Sequence, residues 1–350
     1  MISQKKILFI INTVTPYQLD FFNKLSKNVN LRVIFHSKDH VNYKFNFRKK
    51  NNHFFLSSQV NQVEYFCKFI NNFKPNLVIF GGYRLPHNSK FISYIKKKKI
   101  KFFYWLEKLN ENNFLKYHLI KRLIGNKINS SNGVLAVGKK AKKIYSKYNK
   151  NTFNFPYSIK IKNLNKKKYF KNNKINFLFV GQLIQRKGIK EILSAINKLS
   201  CSEKEKILIH IVGDGGLKKL IEKYQQRNVA IKYYGFVFGN KLSKIYQSSD
   251  VLLFPSKFDG WGVVPMEAMA NSMSVVVSKN AGVSEILNSK NNGFLIEPKS
   301  SALLNAIKKF IKNKKIIIRH GKNNRNLIFE SICNADNLSN YFLKQIMKNI

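Results

Sequence analysis

The chain has 350 residues and a mass of 40.8 kDa, more than one hydrophobic core usually organises and enough for two domains that each bury their own. Its 64 Lys and Arg stand against 17 Asp and Glu, a formal net charge of +47, yet 44% of the residues are hydrophobic and 13% aromatic, which excludes a disordered polycation. Such a charge points to an anionic partner: nucleic acid, a membrane surface or a phosphorylated substrate. Only eight of the basic residues are Arg, however, and Lys, Asn, Ile, Phe and Tyr, all with A/T-rich codons, are abundant together. Phosphate and nucleic-acid sites favour the planar Arg fork, so most of the charge reads as compositional drift.

Taken in chain order, Ile7–Ile11 is a buried strand. It is too short for the apolar core of a secretory signal and has no small-residue cleavage site after it. Thr15-Pro16 opens a helix over Tyr17–Leu25, with Pro near the first turn. Leu31–Phe35 is a second strand, and Val60, Val63, Phe66, Cys67 and Ile70 recur at helical spacing. Leu77–Phe80, ending in Gly81-Gly82, Ile100–Tyr104 and Val134–Val137 are further strands. From Ile159 to Asn173 the pattern lapses into Lys and Asn, including Lys166-Lys167-Lys168, which reads as a linker. Alternation then restarts with strand Asn176–Val180, helix Ile189–Leu199, strand Ile207–Val212 and helix Leu217–Gln226. Strands near Val229–Tyr233 and at Val251–Phe254, a helix near Val263–Ala270 and strand Ser274–Val277 follow, and the tail from about Lys299 is helical. The alternation predicts two α/β domains, each a parallel sheet with helices on both faces. Open sheets of this kind bind ligands beyond the carboxyl ends of their strands, which directs attention to the loops there.

Cys67, Cys201 and Cys333 are far apart and lack CxxC spacing, which argues against a disulfide framework or a zinc site and fits a reducing cytoplasm. No run approaches the roughly 18 apolar residues of a spanning helix. A cytoplasmic protein is expected, at most peripheral on the inner face of the cytoplasmic membrane. His36 and His40 are four apart but lead into a Lys-rich loop, so no metal site is expected there.

Three post-strand loops of the second half carry chemistry. Gly181-Gln182-Leu183 leads through Arg186-Lys187-Gly188 into a helix. Two cations at a helix entry make an anion site, against the alternative of a solvated loop. The second segment runs from Pro255 to Ala270, with Asp259, the turn Gly260-Trp261-Gly262, Val263 and then Glu267 on a helix. Asp259 read alone is an N-terminal cap and Glu267 an exposed helix residue. A Trp between two glycines, however, suits close approach of a ligand to backbone. The third is Gly282-Val283-Ser284-Glu285-Ile286, where Glu285 alone reads as a first-turn acid. Three of only 17 acidic residues on adjacent loops of one sheet favour function.

With Ile211-Val212-Gly213-Asp214-Gly215 and Asn292 to Pro298, these segments resemble, in order and spacing, the retaining glycosyltransferases of the GT4 type. The resemblance covers about Phe177 to Pro298 and implies the GT-B fold, two Rossmann-like domains with parallel sheets facing across a central cleft and a final helix crossing back to the first. On this reading residues 1–165 form an acceptor-side domain, 166–334 a domain binding the nucleotide-sugar donor, and 335–350 the returning helix. The first signature carboxylate is here Asp259 where the family has Glu, and Trp261 stands where Phe is usual.

The resemblance assigns Arg186 and Lys187 to the diphosphate and Asp259 to hydroxyls of the donor sugar, these three being the catalytic candidates. Gly181, Gly213, Gly260, Trp261, Gly262 and Val263 lie at the donor, Glu267 at the ribose hydroxyls, and Glu285 at the nucleotide or bracing the cation loop. No Asp-x-Asp occurs, so fixed cations rather than a metal cofactor are expected to meet the charge of the leaving diphosphate. Retention without an enzyme nucleophile implies same-face attack, with the donor phosphate taking the acceptor's proton. The expected partners are a nucleotide sugar and a saccharide or lipid-linked acceptor, as in cell-surface polysaccharide biosynthesis, with no nucleic acid and, through Lys96–Lys99 and Lys121-Arg122, contact with an anionic membrane. In the first domain Thr15, Tyr17, Arg84 and Glu107 follow strands and are the acceptor-side candidates. The rival readings are a sugar phosphorylase or nucleotide-sugar epimerase on the same fold, a basic nucleic-acid binder, and an inactive scaffold.

Overall fold

The computed structural model describes residues 5–37, 52–56, 61–110, 114–161, 167–227, 230–288 and 291–349. It divides into two compact units, residues 1–160 with 332–350, and residues 161–331.

In the first unit the apolar runs of the sequence become strands because each is continuous enough to be covered on both faces. The unit comprises β1 (Lys6–Thr13), α1 (Pro16–Leu25), β2 (Asn30–Ser37), β3 (His53–Phe55), α2 (Gln62–Phe73), β4 (Leu77–Gly81) and α3 (Asn88–Lys97). It continues with β5 (Lys101–Leu106), α4 (Phe114–Asn129), β6 (Gly133–Ala136), α5 (Lys139–Tyr145) and β7 (Thr152–Asn154). All pairings are parallel, in the order β3-β2-β1-β4-β5-β6-β7. That order places β1 and β4 side by side at the point where the winding reverses.

The second unit comprises β8 (Ile175–Val180), α6 (Ile189–Asn197), α7 (Cys201–Glu205), β9 (Ile207–Val212), α8 (Lys218–Arg227), β10 (Ile231–Tyr233), α9 (Gly239–Ser248) and β11 (Val251–Phe254). It continues with α10 (Val263–Ala270), β12 (Ser274–Ser278), β13 (Gly293–Ile296), α11 (Ser300–Lys312) and α12 (Lys315–Glu330). Its sheet is also all parallel, in the order β10-β9-β8-β11-β12-β13. Its core is aliphatic, with Ile192, Ile207, Ile209, Leu253 and Val276 fully covered.

The chain returns to the first unit after α12. Ile159 and Asn334 form a parallel bridge, with Ile159 N–H donating to the Cys333 carbonyl at 2.8 Å and Ala335 N–H to the Ile159 carbonyl at 3.0 Å. These bonds draw both connecting strands into the first unit, so the division falls before residues 165 and 334. Beyond them α13 (Ala335–Tyr341) and a π-turn over Phe342–Ile346 bury Leu338, Phe342 and Ile346 completely. Phe342 packs into an aromatic cluster with Phe9, Phe21 and Phe155 at centroid distances of 5.9–6.3 Å, and Lys24 of α1 pairs with Asp336 at 2.6 Å.

The Lys-rich stretch expected to be a linker is partly structural. Lys166 lies outside the described residues, but the Lys167 ammonium donates to the carbonyls of Tyr246 at 3.0 Å and Ser249 at 2.5 Å. Burial lowers its pKa to about 8 despite the nearby Asp250 carboxylate. Asp250, fully buried, accepts from the backbone N–H of Phe170 and Asn176. Lysine composition alone could not distinguish this side chain from its solvated neighbours.

Candidate active site

In the second unit the loops after β8, β9, β11 and β12 are locked to one another. Gly181 N–H donates to Val212 O at 3.0 Å and Gly213 N–H to Gly235 O at 2.8 Å. Gly213 has φ +143°, and a Cβ there would sit 1.8 Å from the Gly181 carbonyl oxygen. Only glycine lets these two loops touch.

After Gly181 a 3₁₀ turn over Gln185–Lys187 precedes α6. It is strapped to the loop after β11 by four contacts. Lys257 N–H donates to Arg186 O at 2.8 Å, and the exposed Arg186 guanidinium donates to Phe258 O at 2.7 Å. Lys187 Nζ meets Asp259 Oδ2 at 2.5 Å, with the two side chains only 17% and 15% exposed, and Lys257 pairs with Glu191 of α6 at 2.9 Å. The structure therefore brings Arg186, Lys187 and Asp259 together. The Asp259 side chain is an ion-pair partner rather than a helix cap: no side chain caps α10, whose N-terminus follows Gly262.

The loop after β12 joins the same assembly. Asp259 and Ala281 form a bridge, Gly282 N–H donates to Asp259 O at 3.1 Å, and Val283 N–H donates to Trp261 O at 2.8 Å. Glu285, half-buried, lies on the 3₁₀ turn Gly282–Ile286 that these bonds fix. The resemblance sets the backbone of Gly260 to Val263 near the donor, and the Trp261 side chain has a different place. The residue is 1% exposed and its indole directs its N–H to Met266 Sδ at 3.4 Å, so the ring is a core group. A large apolar ring between two glycines is drawn inward by the burial it offers.

Glu267 sits half-buried in the second turn of α10, where Val263 is the first residue. It accepts a 2.7 Å hydrogen bond at Oε2 from the Tyr246 hydroxyl of α9. Burial, and then the Glu267 carboxylate, push the Tyr246 phenol well above its ordinary pKa, so it stays a donor and fixes the carboxylate's orientation. The sequence reading missed Tyr246. Its signal was only the helical spacing of Leu242, Ile245 and Tyr246, which announces burial and not a partner.

In the first unit two of the four candidates share a partner. Tyr17, at the start of α1, packs with its ring tilted by 45° and 4.8 Å from that of Tyr157, which follows β7 and lies 5.2 Å from Trp105. The Tyr157 hydroxyl hydrogen-bonds Glu107 and Tyr17, and burial, then those two neighbours, raise its pKa well above the ordinary value. Tyr157 was likewise missed, since no spacing links it to residue 17 or 107. Thr15 instead spends its hydroxyl on Gln18 at 2.7 Å, and the exposed Arg84 lies over the Tyr83 ring at 5.2 Å. His36 is half-buried and its pKa falls to about 4 through burial and then His87; His40 lies outside the described residues. Among the described residues no three His, Cys, Asp or Glu side chains converge as a metal site.

Residues 160–327 match the family described as glycosyl transferases group 1. The chain thus carries a group 1 glycosyltransferase domain over just under half of its length. An uncharacterized glycosyltransferase of Methanocaldococcus jannaschii is 37% identical over 126 residues, 35% of this chain and 32% of that protein. An uncharacterized 41.2 kDa protein in the cps region of Klebsiella pneumoniae is 29% identical over 215 residues, 60% and 56% of the two chains. The chain thus spans about a third to just over half of these relatives' length. The crystal structure of Anabaena HepE in complex with UDP and glucose superposes with a TM-score of 0.78 at 15% identity, covering 99% of this chain and all of that one. The fold of this chain is therefore GT-B, two units each built on a parallel sheet.

Proposed function

We propose that this chain is a retaining, metal-independent glycosyltransferase of the GT4 type. It moves a sugar from a nucleotide-sugar donor to a saccharide or lipid-linked saccharide acceptor in cell-surface polysaccharide biosynthesis. The observation that carries this reading is the strapped pair of loops that sets Arg186, Lys187 and Asp259 side by side, with Glu267 oriented by Tyr246 on the adjoining helix.

Transfer leaves a nucleoside diphosphate that gains negative charge as the glycosidic bond breaks, and fixed cations stabilise that charge without reorganising. Lys187 supplies one such cation, already oriented by Asp259. Arg186 spends one of its five N–H donors on Phe258 and keeps the others for phosphate oxygens. Asp259 uses Oδ2 for the ion pair, which leaves Oδ1 to accept from a sugar hydroxyl. Glu267, held at Oε2 by Tyr246, is the carboxylate that meets the ribose hydroxyls. The acceptor hydroxyl attacks from the face the leaving group vacates and yields its proton to the departing phosphate, so no side chain is needed as base. In the first unit Tyr17, Tyr157 and Glu107 offer stacking faces and a carboxylate to an acceptor saccharide. The UDP and glucose bound by the HepE neighbour and the cps-region relative support the donor and pathway classes. The cysteine pattern supports a cytoplasmic location.

A thermal-shift panel of nucleotide sugars tests the site, because a bound donor stabilises in proportion to its occupancy. One donor is expected to raise the midpoint, and Glu267→Ala and Arg186→Ala are each expected to abolish the rise. Normal rises in both correctly folded variants would overturn the assignment. Nucleotide release that requires free phosphate would instead mark a phosphorylase.

A further inference from the structure

The described residues include only five exposed large hydrophobic side chains, and two of them lie one turn apart on α4: Leu119, 62% exposed, and Leu123, 59% exposed. Nothing in the donor or acceptor chemistry uses them. Their surroundings on the helix are polar and of one sign. Arg122, Asn126 and Lys127 are exposed on the same face at helical spacing, whereas Ile124 and Ile128 are buried beneath it. The helix, Phe114–Asn129, contains four Lys and Arg and no Asp or Glu. Lys127 leans towards the Tyr83 carbonyl at 3.5 Å, a contact that leaves its ammonium on the surface.

A pair of leucines held in water by a rigid helix costs free energy unless something covers it. A protein partner would ordinarily match such cations with carboxylates. The other candidate, a second copy of this chain, has few to offer: 17 acidic against 64 basic residues. Apolar residues ridged along a helix whose remaining exposed positions are cationic or neutral fit an anionic lipid surface. There leucines enter the acyl boundary while Arg and Lys remain among the phosphates. No helix among the described residues is long and apolar enough to cross a membrane, so the contact is one of lying on the surface.

We propose that the exposed face of α4, with Leu119 and Leu123 as its apolar ridge and Arg122 and Lys127 as its charged margin, docks the enzyme on an anionic bilayer. The sequence suggested charge alone, through Lys96–Lys99 and Lys121-Arg122. The structure moves the emphasis to the leucines, because cations without an inserted apolar ridge bind only diffusely and lose their hold as salt rises. Of the basic residues on α4 itself, Lys121 is half-buried and Arg122 exposed. Lys96–Lys99 are exposed but lie at the end of α3, with no exposed large apolar side chain among their neighbours on that helix. The inference goes beyond the transfer reaction and does not depend on it, since vesicle binding needs neither donor nor acceptor.

The test is co-sedimentation of the full chain with phosphatidylglycerol-containing vesicles and with pure phosphatidylcholine vesicles, at low and at high salt. Binding is expected only to the anionic vesicles. The double variant Leu119→Ser, Leu123→Ser is expected to weaken it at least about tenfold. Arg122→Gln with Lys127→Gln should weaken it about fivefold per cation removed. All four positions are exposed, so unchanged far-UV circular dichroism and an unchanged melting midpoint should accompany both losses. Three results would overturn the proposal: no binding of the wild-type chain, binding that the leucine variant retains in full, or a dimer in solution that the same variant dissolves.

Discussion

The two units are built on the same plan and differ in how their strand ends are held. In the second, four loops at the carboxyl ends of the strands are bonded to one another through backbone carbonyls, two ion pairs and a glycine contact too close for any side chain. In the first, the corresponding ends carry side chains that lean together: Tyr17 on Tyr157, Tyr157 on Trp105. A site that must meet a polyphosphate benefits from backbone donors and cations fixed before the ligand arrives. A surface that receives a sugar ring needs faces and a carboxylate, which side chains supply without constraining the backbone.

The sharpest way to break this comparison is a pair of alanines at matched glycines. Gly82 follows β4 of the first unit with φ +142°, and Gly213 follows β9 of the second with φ +143°, so the conformational strain of an added Cβ is shared. Around Gly82 the nearest atoms are those of the Leu85 side chain, at 3.8 Å and 3.9 Å, whereas at Gly213 a Cβ would overlap the Gly181 carbonyl. Gly82→Ala is expected to cost about 1–2 kcal/mol. Gly213→Ala must also part the loops after β8 and β9, and about 4 kcal/mol or more is expected. Urea midpoints of the two variants decide it. Equal losses would mean that the second unit's loops are free to separate, and the pre-fixed site would fall with them.

The same difference explains what was legible in the sequence. Loops that are fixed through backbone leave marks that composition cannot produce by chance: Gly213 where no Cβ fits, Arg186-Lys187-Gly188 at a helix entry, and the run from Pro255 to Ala270. The strands were legible too, because contiguous apolar runs such as Val251–Phe254 have one destination. Side-chain constellations leave no such mark. Tyr157 meets Glu107 across a separation of fifty residues, and Tyr246 meets Glu267 across a helix, loop and strand; a tyrosine at either place reads as core. The three-residue strands β3 and β7 are shorter than any periodic signal. Helix α4 mixes apolar and basic residues around its circumference, which hides it from a search for one apolar stripe.

Acid should next apportion stability between the units. His210 of β9 is buried at 6% exposure, between the Tyr234 hydroxyl at 2.7 Å and Asn176 Oδ1 at 3.0 Å, and burial followed by Lys232 lowers its pKa to about 4. The folded second unit therefore holds this imidazole neutral while the unfolded chain protonates it near 6.5, so folding releases a proton between those values. Its stability contribution is present above the unfolded pKa and is lost as pH falls from about 6.5 to about 4, on the order of 3 kcal/mol in full. Burial and then His87 lower the half-buried His36 of the first unit to about 4 as well, so part of the acid loss belongs to that unit and remains when His210 is replaced. Unfolding free energies across this range should fall steeply in the wild type and distinctly less in His210→Gln. An unchanged slope in that variant would place the acid sensitivity elsewhere.

The finest comparison uses two hydroxyls that differ mainly in what surrounds the carboxylate they serve. Tyr246 donates to a half-buried Glu267, and Tyr157 hydrogen-bonds an exposed Glu107. Removing the hydroxyl from Tyr246 leaves a carboxylate oxygen that water replaces poorly, so Tyr246→Phe is expected to cost about 1–2 kcal/mol of stability. Because Glu267 then loses its fixed orientation, donor binding should weaken as well. In Tyr157→Phe the solvent can supply the missing donor to Glu107, and a change within about 0.5 kcal/mol is expected, with the donor-induced thermal shift untouched and the acceptor KM raised. Both variants keep the ring, so packing is preserved and the contrast isolates the hydrogen bond. If Tyr157→Phe instead reduced the donor shift while Tyr246→Phe spared it, the division of labour between the units would be reversed. The strapped loops of the second unit would then be scaffold, and the tyrosines of the first would form the nucleotide site.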